Sequence, residues 1–199
     1  MKAAFIIIVI LNYIIGSIPA AYIAGKVLKG IDIRQYGSGN VGATNAFRVL
    51  GKGPGIFVFA ADVLKGVVGV YLAKAFLTDL WLIVAASLAV IIGHSYSIFL
   101  GFKGGRGVAA GAGIILSLSP RVLLLALVLF VIIVVTTKYV SLGSITAAFS
   151  IPILMLFFGE PAPIKLLGLT ADLFVLYRHK PNIKRLLNGT ESKITDRFR

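Results

Sequence analysis

The run Val122-Leu123-Leu124-Leu125-Ala126-Leu127-Val128-Leu129-Phe130-Val131-Ile132-Ile133-Val134-Val135-Thr136-Thr137 holds no charge, and Arg121 and Lys138 bracket it. Such a segment has no face to turn toward water. A bilayer suits it, because a helix of roughly 20 apolar residues crosses the hydrocarbon core. Six further stretches share its character: Ala3–Ala24, Pro54–Leu77, Leu80–Phe99, Gly107–Ser119, Leu142–Phe158 and Ile164–Tyr177. Glycine, proline and charge separate them. Gly107–Ser119 is short and rich in Gly and Ala, which suits a tilted helix packed closely on its neighbours.

The whole composition agrees. Of 199 residues 58% are hydrophobic and 14% charged, with a mean hydropathy of +0.98. No soluble domain of this size needs so much apolar surface. The expected fold is an all-α integral membrane protein of about seven transmembrane helices, one polytopic domain over residues 1–199, with short interfacial helices in its loops. Met1-Lys2 and the apolar run to Ala24 imitate a signal peptide ending at Ser17-Ile18-Pro19-Ala20. Because the remainder is equally membrane-like, the run reads as the first helix. Cysteine is absent, so neither a disulfide framework nor a thiolate metal site is available.

Basic residues set the orientation. Lys26, Lys29, Arg34, Arg48, Lys52, Lys103, Arg106, Lys138, Arg178, Lys180, Lys184, Arg185, Lys193, Arg197 and Arg199 fall on one side of the expected spans. Lys2, Lys74, Arg121 and Lys165 fall on the other, and Lys65 lies within a span. The richer side is cytoplasmic, which puts the N-terminus outside and the C-terminus inside. The net charge of +13 therefore reads as loops meeting anionic lipid heads or substrates, not nucleic acid. Three polar, glycine-marked segments share that cytoplasmic side: 36–55, 93–113 and 178–194.

The first segment contains Gly37-Ser38-Gly39-Asn40-Val41-Gly42-Ala43-Thr44-Asn45-Ala46-Phe47-Arg48. Its G-x-G-x-x-G opening lacks the strand and βαβ unit of a dinucleotide site. Glycines still let backbone N–H groups crowd an anion, and a helix starting near Ala43 would aim its positive end there. Thr44 and Arg48, four apart, share a helix face, with Asn45 three before Arg48. Ser38, Thr44, Asn45 and Arg48 can together cradle one phosphate.

The second segment runs Gly93-His94-Ser95-Tyr96-Ser97, then Phe102-Lys103-Gly104-Gly105-Arg106-Gly107. It is no Walker A loop, since no Gly-Lys-Ser/Thr stands at the required spacing. Lys103 and Arg106 bracket Gly104-Gly105, a turn from which both side chains can leave toward one anion. His94 and Ser97 are three apart and can face one cavity.

The third reads Arg178-His179-Lys180-Pro181-Asn182-Ile183-Lys184-Arg185-Leu186-Leu187-Asn188-Gly189-Thr190-Glu191. Ile183, Leu186 and Leu187 fit a short helix lying on the headgroups, and Asn188-Gly189 ends it. Within the spans, Asp62 and Lys65 are placed to pair, and Asp172 needs a cation from a neighbouring helix.

Absences narrow the chemistry. The cytoplasmic acids are Asp32, Glu191 and Asp196, too few for a two-metal phosphotransfer cluster. Phe99 stands five after His94 and Lys184 five after His179. The histidine–aspartate pair of acyl-CoA-dependent acyltransferases is therefore missing. A small organic-phosphate transporter or channel is the alternative from another class. Transporters favour repeats and midplane polar sites, whereas here polar residues gather on one face and no repeat is visible.

The three segments, in this order and at this chain length, resemble the cytoplasmic motifs of the bacterial acyl-phosphate:glycerol-3-phosphate acyltransferases, the PlsY family. Arg106 stands where that family often has Lys, and Lys180-Pro181 is a variant within the third motif. The resemblance implies a multi-pass protein of the bacterial cytoplasmic membrane, working at the cytoplasmic face in phospholipid biosynthesis. The implied reaction moves a fatty acyl group from acyl phosphate to the 1-hydroxyl of glycerol 3-phosphate, giving lysophosphatidate and phosphate. It requires no cofactor, no metal, no covalent acyl-enzyme and no protein partner beyond membrane lipids. Catalytic candidates are His179, Asn182, Lys103, Arg48 and Ser38. Substrate- and phosphate-binding candidates are Gly39, Asn40, Gly42, Thr44, Asn45, His94, Ser97, Gly104, Gly105, Arg106, Gly107, Arg178, Arg185, Gly189, Thr190 and Glu191. The general base is His179, His94 or a substrate phosphate.

Overall fold

The computed structural model describes residues 2–196, so Arg197 and Arg199 of the basic count lie outside the described residues. The described chain is helical throughout and forms two compact units, one up to Ser117 and one from Leu118 to Asp196.

The first unit holds α1 (Lys2–Ser17), α2 (Ala20–Lys29), α3 (Ala43–Leu50), α4 (Lys52–Phe76), α5 (Leu80–Ser95) and α6 (Val108–Leu118), whose last residue falls to the second unit. The second holds α7 (Pro120–Thr137), α8 (Val140–Phe157), α9 (Ala162–Arg178) and α10 (Lys180–Leu187). Helices therefore fall on each of the seven apolar stretches, two of them on the first. Among the described residues five segments are long and apolar enough to cross a membrane: Lys2–Lys29, Lys52–Phe76, Leu80–Leu100, Pro120–Thr137 and Val140–Phe157. The other two fall short of that length. α9 has 17 residues and α6 only 11, roughly 16 Å at 1.5 Å per residue.

The outward surface is apolar, as a lipid environment requires. Phe157, Val27, Leu156, Phe57 and Leu124 are all more than half exposed, and α7 buries only Val122 and Ala126.

The first stretch is not one helix. It breaks after Ser17, because Pro19 has no N–H to donate and disfavours helical geometry at Ile18. The break leaves the Ser17 and Ile18 carbonyls to accept from side chains: Ser97 Oγ donates to Ser17 at 2.6 Å and Lys65 Nζ to Ile18 at 3.3 Å.

Small residues set the contacts inside the first unit. A Cβ on Gly16 or Gly93 would strike the backbone of α5 or α1 respectively, and one on Gly66 or Gly113 the backbone of α6 or α4. The short α6 is thus pressed on α4, as its composition suggested. Asn12, fully buried, ties three helices by donating to the carbonyls of Gly69 (3.1 Å) and Ala86 (2.9 Å). In the second unit Gly143 lies against Phe130 and Val134 of α7, and Gly168 against Met155 and Ile151 of α8.

Candidate active site

The polar segments end up beside the helix ends. In the first, the chain leaves α2 through Gly30 in the left-handed region, and Asp32 caps a single 3-10 turn at Ile33–Gln35. The Arg34 guanidinium grips the Asp32 carboxylate at 2.6 Å and holds its pKa at about 2. Gly37 and Gly39 follow with φ of +61° and +69°, conformations that glycine adopts without strain. The loop closes on Asn45, whose side chain is fully buried. Its amide donates to the carbonyls of Ile33 (3.2 Å) and Tyr36 (3.1 Å), and its oxygen accepts the Ser38 N–H (2.9 Å). The residue read as a phosphate ligand is therefore occupied in building the loop.

The helix after that loop starts at Ala43 as expected. Its cap, Gly42, is extended and supplies no side chain to the helix N-terminus. Thr44 and Arg48 are half-buried on α3, and Ser38 and Asn40 sit in the loop before it, Ser38 exposed.

In the second segment the turn is at Gly101-Phe102, both at positive φ, with the Phe102 N–H on the Ser97 carbonyl at 2.8 Å. Gly104-Gly105 is not the turn itself but the return limb. Gly104 N–H bonds the Ser95 carbonyl at 3.1 Å and Gly105 N–H the His94 carbonyl at 3.0 Å, which folds the limb back on the end of α5. Lys103 is exposed and Arg106 half-buried. Gly107, at φ +84°, then lets the chain enter α6.

His94 and Ser97 do face one recess, lined also by Ser17, Pro19, Val41, Asp62, Lys65 and Gly104. Both are buried and engaged. Ser97 holds the broken first helix, and His94 Nδ1 lies 3.5 Å from Asp62 Oδ1. Asp62 and Lys65 pair at 2.7 Å, as their spacing predicts. The two polar loops meet here: a Cβ on Gly105 would lie 2.9 Å from the Val41 carbonyl.

The third segment belongs to the second unit. His179 is buried where α9 gives way to α10, and its Nδ1 donates to the Val175 carbonyl at 2.8 Å. In a neutral ring that leaves the lone pair on Nε2. Pro181 sits in the first turn of α10, where its missing N–H costs nothing. Asn182 is also buried, and its amide donates to Glu191 Oε1 at 2.6 Å. Since a carboxylate only accepts, this contact fixes which way the amide points. Asn182 Oδ1, buried, has no hydrogen-bond partner among the described residues.

Arg185 Nε donates to Glu191 Oε2 at 2.7 Å. Burial alone would raise the Glu191 carboxyl. Hydrogen bonds from Asn182 and Arg185 outweigh it, with the Ser141 hydroxyl of α8 nearby, and hold the group below the usual range. Thr190 and Gly189 form the turn that returns the chain, Gly189 at φ +68° and the Thr190 N–H on the Arg185 carbonyl at 2.9 Å. Arg178 is half-buried at the end of α9.

Asn182, Arg185 and Glu191 thus form one network. Ser141, close to Glu191 from α8, carries no distinguishing signal as a serine in an apolar helix. Asp62 and Lys65, expected as a pair, also reach His94 and the Ile18 carbonyl. Asp172 is buried, and no cation pairs with it among the described residues. Nor do three or more His, Cys, Asp or Glu gather anywhere among the described residues.

Comparison with known proteins supplies the family. The family described as "Glycerol-3-phosphate acyltransferase" matches residues 6–189. A Moorella thermoacetica protein named glycerol-3-phosphate acyltransferase 2 is 48% identical over 193 residues, spanning 97% of this chain and 99% of its own. A Synechococcus elongatus glycerol-3-phosphate acyltransferase is 43% identical, spanning 100% of this chain and 98% of its own. Among solved structures, PlsY (YgiH), an integral membrane glycerol 3-phosphate acyltransferase, matches in its glycerol 3-phosphate form. The TM-score is 0.90 at 41% identity, covering 95% of this chain and 94% of that one. Its lysophosphatidic acid form matches with a TM-score of 0.88 at 40% identity, with the same coverage.

Proposed function

Because the chain belongs to the glycerol-3-phosphate acyltransferase family, we propose that its donor is acyl phosphate. Its product is then 1-acyl glycerol 3-phosphate, lysophosphatidate. The PlsY structures hold glycerol 3-phosphate and lysophosphatidic acid, and we carry that acceptor and product over to this chain. The reaction runs at the cytoplasmic face of the bacterial inner membrane, where the basic loops lie.

The chemistry asks little of a protein. Acyl phosphate is a mixed anhydride and already activated, so no metal or covalent nucleophile is needed. The 1-hydroxyl oxygen attacks the carbonyl carbon, the carbon–oxygen bond to phosphate breaks, and the hydroxyl proton leaves on the released phosphate. Two anions must be held close together and the developing oxyanion stabilised. The observation that carries the reading is the contact of the two glycine-rich loops at Val41 and Gly105. It gathers the open N-terminus of α3, with Ser38, Thr44 and Arg48, and the limb bearing Lys103 and Arg106. Arg48 supplies a guanidinium that binds two phosphate oxygens at once, and Lys103 supplies a mobile charge. Backbone N–H groups of Asn40 and Gly42 add uncharged donors, while Gly39, its own N–H bonded to the Tyr36 carbonyl, supplies the turn that brings them there.

In the second unit, Glu191 turns the Asn182 amide so that its oxygen has no donor among the described residues. A buried acceptor in that state suits a substrate hydroxyl. His179, with its proton on Nδ1, presents Nε2 as the acceptor face of the ring. Arg178 and Arg185 add positive charge to that segment.

The test uses purified protein in detergent, with no sealed compartment. Acyl phosphate with glycerol 3-phosphate should give lysophosphatidate, and acyl-CoA with glycerol 3-phosphate should give none. Product from acyl-CoA alone would overturn the choice of donor. Absence of product from both, in folded protein, would overturn the enzyme reading in favour of transport.

A further inference from the structure

We propose that Asp62, Lys65 and His94 form a buried support that sets the position of the glycine loop 101–107. His94 and Asp62 are then positioning residues for Lys103 and Arg106, and His94 is not a ligand of substrate. The inference rests on the proposed role of that loop in holding phosphate.

An aspartate and a lysine one turn apart inside a span can neutralise each other unaided. Here the pair reaches further. Asp62 and Lys65 are nearly fully buried and 2.7 Å apart. Lys65 Nζ also donates to the Ile18 carbonyl at the break between α1 and α2. Asp62 Oδ1 lies 3.5 Å from Nδ1 of His94, on a different helix. The carboxylate therefore fixes the ring, much as an outer carboxylate fixes a metal-bound histidine.

The other edge of the ring meets the loop. A Cβ on Gly105 would strike His94 Nε2 on one side and lie 2.9 Å from the Val41 carbonyl on the other. A Cβ on Gly104 would strike the His94 carbonyl. The limb is thus seated on His94, and its N–H groups are bonded to the His94 and Ser95 carbonyls. Lys103 and Arg106 flank the two seated glycines directly, so a shift of the ring moves both cations. Lys103 and Arg106 hold a substrate phosphate by charge-assisted contacts, so moving them weakens its binding. With Nε2 turned to Gly105, His94 is badly placed to take the hydroxyl proton.

The experiment measures KM for each substrate, kcat, its pH profile and thermal unfolding in detergent. The variants are His94→Ala, His94→Asn, Gly105→Ala and Gly105→Ala with His94→Ala. His94→Ala should raise KM for a phosphate-bearing substrate about tenfold or more while kcat falls less than about threefold. His94→Asn places an amide nitrogen near the former Nδ1 and keeps the Asp62 contact, so it should recover part of that loss. The double variant should be no worse than Gly105→Ala alone, because removing the ring makes room for the new methyl. If His94→Ala does not accumulate as folded protein, the cycle is run with His94→Asn. Losses that multiply in the double variant would overturn the inference. So would a collapse of kcat at unchanged KM with one limb of the pH profile gone. Wild-type protein that transfers no acyl group would instead overturn the functional reading and this inference with it.

Discussion

Replacing Asn45 by alanine separates a loop-building residue from a ligand. The side chain is fully buried and makes three hydrogen bonds, to the Ile33 and Tyr36 carbonyls and from the Ser38 N–H. A neutral hydrogen bond contributes about 1 kcal/mol net, and more when truncation leaves a buried group unpaired. The Ile33 and Tyr36 carbonyls each keep a backbone donor, the Tyr36 N–H at 3.2 Å and the Gly39 N–H at 3.0 Å, so the three bonds count at about their net worth of 1 kcal/mol each. The expected loss is therefore about 2–3 kcal/mol. At about 2–4 °C per kcal/mol for a chain of this size, that lowers the unfolding temperature by roughly 5–10 °C. Asn45→Asp should be equally damaging despite its shape. Its carboxylate can still accept from Ser38, but it sets an oxygen against two carbonyl oxygens. Scanning fluorimetry in detergent reads the unfolding temperature, and calorimetric titration with glycerol 3-phosphate reads affinity. An unchanged unfolding temperature with weakened affinity would refute the reasoning and return Asn45 to the set of phosphate ligands.

Other predictions concern charge and sidedness. Arg48→Lys should lose activity by about 2–3 kcal/mol in kcat/KM, the worth of one charge-assisted hydrogen bond; near-normal kinetics would reduce Arg48 to a topology-setting cation. The Glu191 carboxyl is depressed in the folded protein, so its stabilising contribution is complete above the ordinary value of 4.5 and lost as pH falls through the folded value. Glu191→Gln should therefore unfold at lower temperature at pH 7 and show a flatter decline below about pH 4.5; parallel wild-type and variant curves would contradict this. Single cysteines at Ser38, Phe102 and Thr190 should react with a membrane-impermeant maleimide only from the cytoplasmic side, and cysteines at Asp79 and Glu160 only from outside. Labelling of positions 38 and 102 from opposite faces would break the account of two loops meeting.

The helices were legible because lipid imposes one requirement on every outward side chain, and composition alone records it. The break at Pro19 was equally legible in principle, since the missing N–H of proline is a local property. The apolar run that continues on both sides of Pro19 hides it. The shortness of α6 was half visible in Gly107–Ser119. Its packing on α4 depends on Gly66, far away in sequence. Motif residues were legible as types but not as partners. Asn45, His94 and Ser97 have the chemistry of anion ligands, yet their distant contacts occupy them with Ser38, Asp62 and Ser17. Asn182 shows the opposite case, since only the Glu191 contact reveals which of its amide atoms lacks a partner among the described residues. Ser141 could not be singled out, because nothing local distinguishes a serine that faces Glu191 from one facing its own helix.

The central claim is direct, metal-free attack by the 1-hydroxyl on acyl phosphate, and an isotope experiment tests it most directly. Purified protein in detergent with excess EDTA receives acyl phosphate and glycerol 3-phosphate labelled with oxygen-18 at its 1-hydroxyl, and mass spectrometry follows both products. The account predicts lysophosphatidate with the label in its ester oxygen and one unlabelled inorganic phosphate per ester formed. Loss of product under EDTA with rescue by magnesium, or label appearing in the released phosphate, would contradict it.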